Sequence, residues 1–226
     1  MNYPDIPICD LGDLEESENV SYVIDSVETS VSSIRKDNKI PIMLGGEHSI
    51  TVGAIRSFTD CSLVIIDAHS DFRDEYMGSK YNHACVTRRA LDLLGPGKIF
   101  SLGTRSVSLA EYRAEEFSNV KFFMADEIRH RGITEVTNDL LSLVGDKVYF
   151  SIDIDGIDPA YAPAAGTPEP YGILPSDVRY LINNLAKKTV GFDIVEFSPL
   201  YDNGNTAMLA AKLIQDFIGS RETKKF

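Results

Sequence analysis

The chain has 226 residues and carries 34 acidic against 22 basic side chains, a net charge of −12. That balance argues against a nucleic-acid backbone or an anionic membrane as partner, and leaves a cationic ligand, a bound metal or a plainly solvated acidic surface. An apolar fraction of 43%, with ten Tyr and eleven Phe, rules out wholesale disorder. It also supplies core enough for a single domain over 1–226 without disulfide staples. Cys9, Cys61 and Cys85 are odd in number and lack a CxxC pair, so they read as free thiols of a reducing compartment. Residues 1–25 show no basic stretch followed by an apolar block, and no apolar run approaches the ~18 residues of a membrane span. A soluble, cytoplasmic protein without a signal peptide is the expectation.

Taken in chain order, the pattern opens with Val20, Val23, Ile24, Val27, Val31 and Ile34, whose three-and-four spacing predicts a helix. A strand is predicted over 40–44, a helix over 48–58, a strand over 62–67 and a helix over 85–94. Strands at 98–102, 120–124, 147–153 and 189–195 alternate with helices at 108–117, 134–144, 175–187 and 205–218. Pro175 suits a first helical turn, and Asn205 lies close to a helix start. Most of the strands are apolar throughout, as in strands covered on both faces. The alternation predicts one parallel, doubly wound α/β sheet with helices on both sides. The Pro/Gly-rich stretch 158–172 reads as an ordered loop after a strand.

Four of these strands run directly into polar residues, and open α/β sheets bind ligands along that carboxyl edge. Gly45-Gly46-Glu47-His48 follows the first strand, Asp67-Ala68-His69-Ser70-Asp71 the second, and Asp153-Ile154-Asp155 closes the fifth. Glu196-Phe197-Ser198-Pro199 follows the sixth. In extended chain, residues two apart face the same way, so Asp67, His69 and Asp71 are expected to share a side, as are Asp153 and Asp155. Carboxylates crowded in this way repel unless a cation neutralises them. Two imidazoles and four carboxylates form a ligand set for two divalent ions, and a set without thiolate suits Mn²⁺ better than structural Zn²⁺.

The motifs GGEHSIT (45–51), DAHSD (67–71), SIDIDGIDP (151–159) and VEFSP (195–199) resemble, in their order along the chain, the ureohydrolase family of arginases and agmatinases. The resemblance implies a three-layer α/β/α sandwich holding two Mn²⁺ ions, which activate a hydroxide for attack on a guanidinium carbon and release urea. It implies His48, Asp67, His69, Asp71, Asp153 and Asp155 as metal ligands. His83, in Tyr81-Asn82-His83-Ala84, matches the family's proton-shuttle histidine, and Glu196 matches the carboxylate that pairs with the guanidinium. Glu47 and Ser49 read as caps of the helix beginning beside them, Asp158 as a turn organiser, and Arg105 as a structural or subunit-contact residue. A homo-oligomer, trimer or hexamer, is implied as well.

The substrate reading rests on residues 72–86, which lack the Asn-x-Pro run of arginases and resemble the agmatinase pattern of a DEY-x-G run leading to Tyr-x-His-Ala. Hydrolysis of agmatine to putrescine and urea, a polyamine-forming reaction, is therefore expected. The loop Gly166-Thr167-Pro168-Glu169-Pro170 is a candidate for meeting the far ammonium, with Glu169 the carboxylate available. About forty residues precede the first motif, fewer than in many relatives, so differences at the pocket rim or in subunit packing are expected. The alternatives are another guanidino compound, such as guanidinobutyrate or arginine, and a non-catalytic metal-stabilised subunit. A two-metal phosphoesterase is disfavoured because no phosphate cradle is present and the charge repels phosphate.

Overall fold

A computed structural model of the chain describes residues 6–222; both ends of the expected 1–226 domain, and the first five residues of the segment read for a leader, lie outside the described residues. The predicted opening helix forms as α1 (Val20–Lys36), burying Ile24, Val27 and Val31 along one stripe. The Asn19 side chain accepts from the Tyr22 N–H at its start, and Arg35 and Lys36 complement the dipole at its end. The remaining helices are α2 (Ile50–Arg56), α3 (Val86–Leu94), α4 (Leu109–Tyr112), α5 (Ala125–Arg131), α6 (Ile133–Leu143), α7 (Pro175–Leu185) and α8 (Asn205–Glu222). The strands are β1 (Ile42–Leu44), β2 (Ser62–Ile66), β3 (Ile99–Thr104), β4 (Lys121–Met124), β5 (Val148–Asp153) and β6 (Thr189–Val195).

All six strands pair in parallel in the order β1-β6-β5-β2-β3-β4. Successive residues serve opposite layers. Leu63 and Ile65 of β2 pack with Val27 and Val31 of α1, Ile55 of α2 and Leu91 of α3. Val64 and Ile66 belong to the second core, with Val136 of α6, Leu181 of α7 and Phe217 of α8. The result is a three-layer α/β/α sandwich. The central strands β2, β3 and β5 are buried at every position because both of their faces are covered.

Three local expectations change. The helix expected at 108–117 stops at Tyr112, and the chain continues as a 3₁₀ turn over Glu115–Asn119. The unpredicted α5 buries only Ala125 and Ile128, too little for an apolar stripe to stand out. Asn205 opens α8, but Asp202 does the capping: its carboxylate accepts from the N–H groups of Thr206 and Ala207.

The winding places the site. From β2 the chain moves through β3 to β4, and from β5 it moves to β6 on the other side, so winding reverses between the neighbours β2 and β5. Ligand crevices form at the carboxyl ends of the strands at such a reversal. Gly156, just beyond β5, presses against β2 there: a Cβ would lie 2.7 Å from the Asp67 nitrogen. Only glycine lets the two strand-end loops close on one another.

Candidate active site

The strand ends bring His48, Asp67, Asp71 and Asp153 around one point. His48 Nδ1 lies 3.3 Å from Asp67 Oδ2, 3.4 Å from Asp71 Oδ2 and 3.3 Å from Asp153 Oδ2. Beside them His69 Nδ1 lies 3.0 Å from Asp155 Oδ2 and 3.6 Å from Asp67 Oδ1. His48, Asp67 and Asp71 form one cluster with metal-ligand spacing and Asp67, His69 and Asp155 a second, so Asp67 is shared. His48 Nδ1 and Asp67 Oδ2 are buried and make no hydrogen bond, although each has polar neighbours. Ligand atoms on one ion stand about 3 Å apart when bonds near 2.1 Å meet at right angles, so atoms converging on a shared point without bonding one another fit a cation between them.

Charge makes the same case. Burial opposes ionisation of Asp67, but His48 and His69 hold it at about 2. Burial and the neighbouring Asp67 charge push Asp71 up to about 7. Burial would lower His69, yet the carboxylates of Asp155 and Asp67 beside its ring push it up to about 11. Without a cation the cluster must be neutralised by protons; divalent ions would neutralise it while every ligand is deprotonated.

The tautomer of His48 follows from a relay behind it. Buried Asp193 accepts from Ser151 Oγ at 2.5 Å, Tyr149 OH at 2.7 Å and Thr51 Oγ1 at 3.0 Å. The single Ser151 proton is committed to Asp193, so its Oγ, 3.2 Å from His48 Nε2, receives the ring proton. A neutral His48 then carries its proton on Nε2 and turns a lone pair on Nδ1 toward the three carboxylates. Ser151 and Asp193 are register partners on β5 and β6, which puts this relay inside the sheet.

The expected alternation does not survive the strand ends. β2 finishes at Ile66, and Asp71 takes a left-handed backbone, φ 47°. Asp153 and Asp155 do not face one cluster, because Ile154–Gly156 is a 3₁₀ turn that swings Asp155 toward His69 while Asp153 faces His48. The turn at Asp71 is held from both flanks by Glu111, whose Oε1 accepts from the Ser70 hydroxyl at 2.8 Å and the Phe72 N–H at 2.9 Å. Glu196 is also left-handed, φ 62°. Its Oε1 accepts from the His48 N–H at 2.6 Å and its N–H donates to Gly46 O at 2.8 Å. Non-glycine residues held in this region cost about 1–3 kcal/mol each and gather at functional sites.

His83 starts a short 3₁₀ turn, His83–Cys85, capped by the Asn82 side chain. Glu47 does not cap α2. Its Oε1 meets both His83 Nδ1 at 2.8 Å and the His83 N–H at 3.1 Å, while Ser49 donates to Oε2 at 2.6 Å. Arg105 is structural, as read: its guanidinium donates to the carbonyls of Gly103, Asp155, Gly156, Glu169 and Pro170, tying the 166–172 loop to the turn that carries Asp155. That clamp sets Glu169 beside the site, Oε1 4.0 Å from His69 Nε2. Asp158 organises its turn, accepting from Ala160 and Gly172 N–H groups.

A sequence profile of the arginase family matches residues 1–219. The chain belongs to the arginase family. The crystal structure of the agmatine ureohydrolase of Thermoplasma volcanium superposes on it with a TM-score of 0.93 at 62% identity, covering 95% of this chain and 73% of that one. The agmatinase of Pyrococcus horikoshii is 34% identical over 223 residues, 97% of this chain and 77% of its own. The guanidinobutyrase of Pseudomonas aeruginosa is 32% identical over 231 residues, 96% and 72% of the two chains.

Two residues and one contact of this arginase-family site escaped the reading of the sequence: Glu111, Asp193 and the link from Glu47 to His83. Asp193 left a signal, a carboxylate in the middle of the apolar run Thr189–Val195. Glu111 had the signature of a capping box with Ser108, which is present and accounts for its second oxygen only.

Proposed function

We propose that this protein hydrolyses the guanidinium group of agmatine to putrescine and urea, with His48, Asp67, His69, Asp71, Asp153 and Asp155 holding two divalent ions. The single observation that carries the ligand reading is the convergence of those side chains on two adjoining points with His48 Nδ1 and Asp67 Oδ2 left unbonded. Manganese is the metal this donor set favours, since it offers carboxylate oxygen and imidazole nitrogen and no thiolate. When bound, the ion pair supplies Lewis acidity that makes an attacking water acidic near neutral pH and balances the buried carboxylates.

The chain's own groups do the rest. Glu196, fixed by the His48 N–H, presents its remaining oxygen to the cationic guanidinium. Water adds to the guanidinium carbon, the bond from that carbon to the alkyl nitrogen breaks, and the electron pair leaves with the amine. His83 carries one proton from the attacking water to that nitrogen, the water's second proton follows, and the nitrogen departs as the ammonium of putrescine while the carbon leaves as urea. Its ring is half-buried, and the hydrogen bond to Glu47 above all, then the charges of Glu196 and Asp71, favour the imidazolium against the cost of burial.

Agmatine is favoured over other guanidines by the 62%-identical structure, an agmatine ureohydrolase, and by the missing Asn-x-Pro run after Asp71. Glu169 at the rim offers a carboxylate to the far ammonium. We extend the reading to one domain over 1–226 and to a cytoplasmic homo-oligomer. The continuous sheet supports the first, the family resemblance the homo-oligomer, and the free thiols of Cys9, Cys61 and Cys85 a reducing compartment. Among the described residues no helix is long and apolar enough to cross a membrane. Urea release from a panel of guanidino compounds, with Mn²⁺ added or chelated, tests the reading. Metal-dependent release, highest from agmatine, is expected; protein that carries two ions yet releases urea from none of them contradicts it.

A further inference from the structure

Glu47 is committed to His83 through two separate contacts on one oxygen. Oε1 accepts from the His83 backbone N–H at 3.1 Å and lies 2.8 Å from Nδ1. A carboxylate is acceptor-only, so the Nδ1 contact places the ring proton on Nδ1. The other oxygen, Oε2, receives the Ser49 hydroxyl at 2.6 Å, which stops the carboxylate from rotating away. On the far side the ring meets Tyr76 edge-on at 5.9 Å. The charged groups facing His83 are Glu47 from its own contact, Glu196 from beyond β6 and Asp71 from beyond β2. Thirty-six residues separate Glu47 from His83, and the pair joins the loop after β1 to the loop before α3.

We propose that Glu47 is the positioning residue of the proton carrier: it holds His83 by Nδ1–H and the backbone N–H, fixes the ring's plane and tautomer, and leaves Nε2 as the atom that takes and gives the proton. This rests on the reading of His83 given above. Both oxygens of Glu47 are occupied, Oε1 by His83 and Oε2 by Ser49, so its effect runs through His83.

A double-mutant cycle tests it on the Mn²⁺-loaded protein, reading kcat, KM for agmatine and bound metal for wild type, Glu47→Ala, His83→Ala and the double variant. Glu47→Ala is expected to lower kcat about 10–100-fold, the range for losing a partner that orients a catalytic group, with KM changed less than about twofold. In the His83→Ala background the same substitution changes kcat by less than about twofold. Glu47→Gln keeps the shape and an oxygen for Nδ1–H, so it retains more activity than Glu47→Ala, and the kcat–pH limb set by His83 moves to lower pH as the imidazolium loses its anion. Equal losses in both His83 backgrounds, or a Glu47→Gln variant with wild-type kcat and an unmoved pH profile, overturn the proposal. If His83→Ala keeps wild-type kcat, the proton-carrier reading falls and this inference with it. If His83→Ala is slow but Glu47→Ala adds its loss independently, only the role of Glu47 is refuted.

Discussion

Removing the Ser151 hydroxyl tests how the protein fixes His48, the first histidine of the proposed ligand set. Ser151 does two things at once: it receives the Nε2 proton of His48 at 3.2 Å and donates to Asp193 at 2.5 Å. Ser151→Ala leaves a fully buried N–H without an acceptor, at a cost of about 1–3 kcal/mol, and strips Asp193 of one of its three hydroxyl donors. For a domain of this size a loss of about 2 kcal/mol lowers Tm by roughly 4–8 °C. The chemical consequence is larger than the thermal one. With no acceptor at Nε2, the His48 proton is free to move to Nδ1, where the carboxylates of Asp67, Asp71 and Asp153 attract it. That protonated form cannot ligate, so metal affinity is expected to fall about 10–100-fold, or about 1.4–2.8 kcal/mol. Calorimetric titration of chelator-stripped protein with Mn²⁺ reads the affinity, and melts of the stripped protein read the fold separately. Wild-type Mn²⁺ affinity in a folded Ser151→Ala protein would refute the relay.

Glu111→Gln should lower Tm of the stripped protein by about 2–4 °C at pH 7, for roughly 1 kcal/mol of charge-assisted bonding to Ser70 and Phe72. Burial works against its ionisation, but the Ser108, Phe72 and Ser70 donors hold the Glu111 carboxyl below its ordinary 4.5. Its contribution is therefore complete above that value and is lost as pH falls below it, so the Tm gap should close in acid; a gap that persists unchanged at pH 3 contradicts this. Of the three thiols, Cys9 is exposed, whereas burial pushes Cys61 and Cys85 up to about 11. At pH 8 roughly one part in a thousand of the latter is thiolate, so iodoacetamide should modify Cys9 alone in the native protein, read by peptide mass spectrometry. Mn²⁺ must displace the protons held by His69 and Asp71, so its apparent affinity should rise with pH, up to about tenfold per unit for each proton released, as titrations between pH 6 and 8.5 would show.

What the sequence made legible was what repeats or what sits at a strand end. The stripe from Val20 to Ile34 required α1, and the apolar runs required all six strands, because burial on both faces writes itself into composition. α5 was illegible for the opposite reason: Asp126, Glu127, Arg129, His130 and Arg131 leave it almost no apolar face, and only their acidic-first, basic-last order marks a helix. At the site, the polar residues after β2, β5 and β6 stood out against the apolar strands before them, but the geometry that gathers them did not. Alternation pointed Asp153 and Asp155 the same way, whereas a 3₁₀ turn aims them at different clusters. Glu47 looked like a helix cap since its neighbours in sequence begin a helix, and its partner His83 is brought near only by the packing of two loops. Partners of this kind depend on tertiary contacts, and one chain read alone carries no trace of them.

The proposed agmatine hydrolysis entails selection for a guanidine with a cationic tail. An unpaired buried carboxylate costs several kcal/mol, and each 1.4 kcal/mol is about tenfold in specificity. Agmatine, with a charge near +2, is also drawn more strongly than arginine to a chain of net charge −12. The decisive measurement is kcat/KM for agmatine, arginine and guanidinobutyrate at one pH with two Mn²⁺ per chain. Agmatine ahead of both others by at least about 10²-fold is the predicted result, and equal turnover of arginine or guanidinobutyrate would contradict it.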